Sequence, residues 1–168
     1  GINHSEVKRG DVIAYPGYIA TSEAFDVRLT VLKDSPRPIR HNMFVTFHVG
    51  SSETVSRVRL LENDIVSPGE DTWAQIKPNI FLPVLRGDRF VIRSNMATLG
   101  GGKVVDTNAK RHRRWHQPTL DKLTHLEAGD KSDIILTLMA TSEPTTFQEM
   151  SMTYGIAEED LLEELEIL

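Results

Sequence analysis

The chain contains no cysteine. Disulfides, thiol nucleophiles and cysteine-based zinc sites are therefore excluded, and a cytoplasmic home is compatible with what remains. Long hydrophobic runs are missing as well, since stretches such as 134–136 fall far short of the roughly 20 apolar residues that a spanning helix needs. No basic-then-apolar leader opens the chain, so neither membrane insertion nor export is expected. There is also no internal repeat and no low-complexity segment. What is present is a globular mixture over 168 residues, 39% hydrophobic and 26% charged, which fits one large domain or a medium domain with a small appendage.

Charge is distributed unevenly about the mean of −5. Between residues 103 and 116, Lys103, Lys110, Arg111, Arg113 and Arg114 face only Asp106, a local net of +4. From 158 to 168 the sign reverses, with Glu158, Glu159, Asp160, Glu163, Glu164 and Glu166 and no basic residue. A basic strip on an acidic protein suits a polyanion partner, or else serves as a solvated linker.

Residues 1 to about 107 read as β structure. In 42–49, Met43, Val45, Phe47 and Val49 alternate with Phe44, Thr46 and His48, and a strand places those two sets on opposite faces. Phe25, Val27, Leu29 and Val31 repeat the pattern, with Asp26, Arg28 and Thr30 facing the other way. Further strands are expected at 11–15, 54–61, 72–76, 89–93 and 103–106, separated by turn signals such as Pro16-Gly17, Asn63-Asp64 and Pro68-Gly69. Six or seven short strands with no intervening helix imply an antiparallel barrel or sandwich. After the basic strip the period changes. Pro118 suits a first helical turn, and Leu120, Leu123 and Leu126 follow at threefold spacing before Gly129. Three more helices are expected at about 132–141, 146–154 and 156–165, the second opened by the capping-box pair Thr146 and Glu149.

No arrangement of residues specifies catalysis. Gly100-Gly101-Gly102-Lys103 lacks a phosphate-loop spacing, because Ala97 stands where the loop needs glycine and Val104 where it needs Ser or Thr. It reads as a glycine turn between strands, or as backbone that approaches an RNA phosphate. His112 and His116 are four apart, but Arg111, Arg113 and Arg114 around them would repel a divalent cation, so no metal is expected. Gly50-Ser51-Ser52 lacks a nucleophile elbow. Trp73 and Trp115 can stack on bases or fill core and rim.

The order of motifs is more informative. Arg9-Gly10-Asp11-Val12-Ile13-Ala14-Tyr15-Pro16-Gly17 resembles the junction between the second and third domains of translational GTPases of the elongation factor Tu type. The third domain of that family continues as this chain does over roughly residues 1–107: an alternating strand, the histidine-containing stretch 39–50, Pro68-Gly69, Asp88-Arg89-Phe90-Val91-Ile92-Arg93, and the glycine segment 98–106. The stretch from Ile39-Arg40-His41-Asn42 to His48-Val49-Gly50-Ser51-Ser52-Glu53 points to one branch. So do the triple glycine before Val104-Val105-Asp106 and the segment Lys110-Arg111-His112-Arg113-Arg114-Trp115 with helices after it. These features are similar to the bacterial selenocysteine-specific elongation factor.

The resemblance implies a mainly β fold: a six-stranded antiparallel barrel followed by a small α-helical, winged-helix-like segment. The expected divisions are 1–16, the end of a preceding barrel; 17–107, the barrel; 108–117, a basic linker; and 118–168, a partial winged-helix segment. It also implies contact with the acceptor-T arm of selenocysteyl-tRNA, for delivery to the ribosome. Gly100, Gly101 and Gly102 inherit a backbone-phosphate role. Arg40, His41 and His48 fall near the tRNA-facing basic strand, and Lys103, Lys110, Arg111, Arg113 and Arg114 enter on charge, as phosphate contacts. The chain reads as an expressed, non-catalytic fragment. GTP and magnesium would belong to the parent protein's GTPase domain, and the messenger RNA hairpin to modules absent here. The competing reading is a barrel that mainly docks on that GTPase domain, or the equivalent domain of another translational GTPase.

Overall fold

The computed structural model describes residues 3–15, 19–128 and 146. Among them the strands are β1 Thr21–Ser22, β2 Phe25–Val31, β3 Ile39–Arg40, β4 Met43–Val49, β5 Ser52–Leu60, β6 Ile65–Val66, β7 Asp71–Pro78, β8 Leu82–Pro83, β9 Arg89–Arg93 and β10 Thr98–Asp106. A helix, α1 Gln117–Ala128, follows. Six strands close an antiparallel barrel in the order β10-β2-β7-β5-β4-β9, while β1 pairs with β8 and β3 with β6 outside it. The expected six-stranded barrel is the one observed.

Period-two patterning builds it. In β4, Val45, Phe47 and Val49 are buried and Phe44 is exposed. Phe25, Val27, Leu29 and Val31 of β2 are fully buried with them, joined by Val58, Leu60, Ile76, Phe90 and Ile92. Phe47 lies between two rings at the centre, 5.2 Å from Phe25 and 5.1 Å from Phe90. Each such side chain removed from water contributes about 1.5–3 kcal/mol.

Three expectations change. Residues 11–15 form no strand, and Asp11, Val12, Ile13, Ala14 and Tyr15 are exposed. Their alternation is real, but a closed barrel leaves no free edge for another strand to join. Gly100, Gly101 and Gly102 are not a turn; they lie inside β10, paired with β2 on one side and β9 on the other. The neighbouring backbones pass so close that a Cβ on Gly102 would overlap the carbonyl oxygen of Arg28, and one on Gly101 would sit 2.5 Å from that of Phe90. Glycine here permits close approach of strands rather than a change of direction. Third, the expected linker, 108–117, does not stand free of the barrel: the Lys110 carbonyl, His112, Arg114 and the Trp115 amide each contact it.

The first expected helix is α1, with Leu123 and Leu126 buried as the threefold spacing required. It packs against β10, where Lys122 Nζ donates to Asp106 Oδ2 at 3.1 Å, and Arg86 donates to the carbonyl of Leu126 near its end. The helices expected at 132–141, 146–154 and 156–165 fall on residues of which only Thr146 is described.

Candidate nucleic-acid interface

Antiparallel register places basic side chains opposite one another on the outer face of the barrel. Arg57 and Arg59 flank the fully buried Val58 in β5, so both point outward. Arg57 pairs with Lys77 of β7 on one side and with Phe44 of β4 on the other; Arg59 pairs with Gln75, which in turn pairs with Asp26 of β2. Like charges directly opposite in a sheet are unfavourable, so the Arg57–Lys77 pair carries a cost that the barrel alone does not relieve.

The segment after β10 deepens this face into a cleft of about 610 Å³, lined by His41, Asn42, Arg57, Arg59, Lys77, Arg111, His112, Arg113 and Arg114. Six of those residues are Lys or Arg, and none of the described lining residues is a carboxylate. Among the described residues, Lys77, Arg111 and Arg113 have neither a hydrogen-bond nor an ion-pair partner from their side chains, and Arg57 stacks over the ring of Phe44 at 4.9 Å. Arg59 donates to Gln75 Oε1 at 2.7 Å; burial first, and then the charge of Arg111, pull its pKa below the ordinary arginine value. Arg114 is anchored: its guanidinium donates to the carbonyls of Leu60 (3.1 Å) and Asn63 (2.7 Å) and to Asp64 Oδ1 (2.6 Å).

Histidines occupy the floor and one end. His41 Nδ1 lies 3.1 Å from the Leu60 carbonyl, and burial, reinforced by Arg114, holds its pKa below the usual imidazole value. His112 turns toward the barrel and meets Asp26 Oδ2 at 2.5 Å. Asp26 is fully buried, and that burial raises its carboxyl pKa against the opposing hydrogen bonds from His112 and Gln75.

Of the residues expected to touch a polyanion, the fold gathers His41, Arg111, Arg113 and Arg114 in the cleft. Lys110 flanks it, its carbonyl accepting from Gln75 Nε2 at 2.9 Å. Arg40 is exposed on β3 next to His41. His48 sits near the other end of β4, 3.8 Å from Glu53 and outside the cleft. Lys103 stands in a separate basic row, opposite Arg28 and Arg89. Gly100, Gly101 and Gly102 have both strand edges taken up by pairing. Of the tryptophans, Trp73 is buried, whereas Trp115 is exposed with the Arg114 guanidinium 5.3 Å from its ring. Sequence reading missed Arg57, Arg59 and Lys77. The signal for the first two was present, as two arginines spaced by one apolar residue; Lys77 joins them only through register.

Comparison with known proteins follows the same division of the chain. Residues 26–111, about half of it, match the family model described as the selenocysteine-specific elongation factor, beta-barrel domain. The chain is also 33% identical over 138 residues to a protein of Desulfomicrobium baculatum named selenocysteine-specific elongation factor. That match covers 81% of this chain and 22% of the relative. The chain thus spans about a fifth of that relative's length.

Proposed function

The chain belongs to the selenocysteine-specific elongation factor family, as its barrel domain, and from that premise we propose that the cleft between β5, β7 and residues 111–114 binds the sugar-phosphate backbone of tRNA. The observation that carries this reading is the facing pair Arg57 and Lys77, with Arg111 and Arg113 lining the same cleft and no carboxylate among its described lining residues. An RNA backbone supplies phosphates to pair with such cations, relieves their mutual repulsion and releases counterions. Recognition of this kind reads shape and phosphate rather than base edges. In the family's setting the RNA is selenocysteyl-tRNA, contacted through its acceptor-T arm and carried to the ribosome in the cytoplasm. Residues Arg40, His48 and Lys103 lie outside the cleft and serve, on this reading, as peripheral contacts at most.

The described residues do not fit a GTP site. Ala97 and Val104 occupy positions that a phosphate loop assigns to glycine and to Ser or Thr, and the glycines between them are paired in β10. On this reading GTP, magnesium and the messenger RNA hairpin belong to other parts of the family's proteins, and the barrel acts without catalysis. Among the described residues no helix is long and apolar enough to cross a membrane.

A second reading has its own observation. Ile13 (84% exposed), Tyr15 (85%), Ile80 (55%) and Phe81 (59%) share one concavity away from the cleft, a surface suited to docking on another domain of the same protein. Titrating the chain over salt against tRNA-Sec, an ordinary elongator tRNA and a plain RNA duplex separates the two. Preferential, steeply salt-dependent binding of tRNA-Sec that is lost on reversing Arg57 and Lys77 supports the first. Absence of binding at low salt leaves docking as the barrel's role.

A further inference from the structure

Asp26 is a fully buried carboxylate on what should be the outside of a barrel, since its neighbours Phe25 and Val27 fill the core. It is buried because residues 110–115 lie across it. Covering a charge costs several kcal/mol unless that charge is paired and hydrogen-bonded. Here both oxygens are partnered: His112 Nε2 lies 2.5 Å from Oδ2, and Gln75 Nε2 donates to Oδ1 at 3.2 Å. The same Gln75 amide donates to the Lys110 carbonyl at 2.9 Å, and its oxygen accepts from Arg59. One row of the sheet, Arg59–Gln75–Asp26, thus grips the crossing segment.

Exposure alternates along that segment: His112 and Arg114 are half-buried, while Arg111 and Arg113 are exposed. His112 and Arg114 face the barrel as anchors, which turns Arg111 and Arg113 outward. The far end is fixed by the Trp115 amide, which donates to the Leu61 carbonyl at 2.8 Å. Trp115 has a φ of 60°, a left-handed conformation rare for so bulky a residue, and one that the surrounding contacts must hold in place.

We propose that residues 110–115 form a strap latched to the barrel by Asp26, and that Asp26 is a positioning residue of the cleft: by fixing His112 it holds Arg111 and Arg113 in the cleft that Arg57 and Lys77 also line. The proposal rests on the reading of the cleft as an RNA site. The cations of the cleft come partly from the barrel and partly from the strap, so on this proposal RNA occupancy and strap docking are reciprocally linked. Because α1 follows the strap directly, RNA in the cleft also favours one placement of that helix.

The test uses the whole chain and two readouts. In Asp26→Asn, amide exchange at Trp115 speeds up at least tenfold while Leu29 in β2 keeps its protection. The slope of log K for tRNA against log salt falls by roughly 0.7–0.9 for each of two lost phosphate contacts. Arg111→Ala/Arg113→Ala gives the same fall, and adding Asp26→Asn to that pair gives no more. Unchanged Trp115 exchange, an unchanged slope, or a loss that simply adds to that of the arginine pair each overturn the proposal. If Asp26→Asn does not fold, His112→Ala removes the same contact from the strap side and is held to the same outcomes. If reversal of Arg57 and Lys77 leaves tRNA affinity intact, the RNA reading fails by itself, while Trp115 exchange still reports on the latch.

Discussion

Asp26 and His112 lie 86 residues apart in the chain and 2.5 Å apart in the fold, a buried carboxylate holding an imidazole that brings a basic segment onto the barrel. The basic strip is consequently no free tether. Its alternate residues are divided between anchoring and presentation, and the face they present is continuous with cations of β5 and β7.

Charge reversal at the cleft tests its role most directly. Arg57→Glu combined with Lys77→Glu is expected to weaken tRNA binding by roughly tenfold or more near 0.1 M salt and to flatten the salt dependence. His48→Ala, outside the cleft, is expected to leave affinity unchanged. Fluorescence anisotropy with labelled tRNA reads both.

The pH dependence of stability follows from His41. Its folded pKa lies below the 6.5 of the free imidazole, because burial and then Arg114 disfavour the charged form. Above that value both states are neutral and the residue contributes no pH dependence. As pH falls through it, the unfolded chain takes up a proton that the folded chain refuses, and stability declines. Between about pH 7.5 and about pH 5.5, urea unfolding of His41→Gln is expected to lose less stability than that of the parent chain.

Two glycine substitutions are expected to rank in an order set by space rather than by chain position. Gly50 has a φ of +53° with nothing near its would-be Cβ, so Gly50→Ala costs about 1–2 kcal/mol of backbone strain. Gly102→Ala must push a methyl into the carbonyl of Arg28 and prise β10 from β2. It is expected to lower the melting temperature far more than Gly50→Ala, or to prevent folding.

Phe47 is expected to be the most costly aromatic to truncate. Its ring contacts both Phe25 and Phe90, and Phe47→Ala removes it from the barrel centre, a loss of about 3–5 kcal/mol measurable by denaturant unfolding.

Alternation along β2 and β4 disclosed strands of an antiparallel barrel or sandwich, because a strand's two faces are written at period two, and the family resemblance chose the barrel. The leucine spacing disclosed α1 for the same kind of reason, and the order of motifs disclosed the family. Residues 11–15 showed the limit of that reading. Their local pattern is strand-like, yet whether a strand forms depends on a partner edge, which closure of the barrel removed. Likewise Gly100, Gly101 and Gly102 read as a turn because glycine signals freedom, whereas their need was for room against two neighbouring strands.

The cleft divides in the same way. The sequence by itself determined that Arg111, Arg113 and Arg114 form a basic strip, and that Arg57 and Arg59 share a face. Only the tertiary structure decided that Lys77 stands opposite Arg57, that Asp26 is buried rather than solvated, and that His112 is its partner. Those are contacts between residues tens of positions apart, set by strand register and by the path of the chain after β10. Composition and local spacing do not encode them singly; the closing of the barrel does.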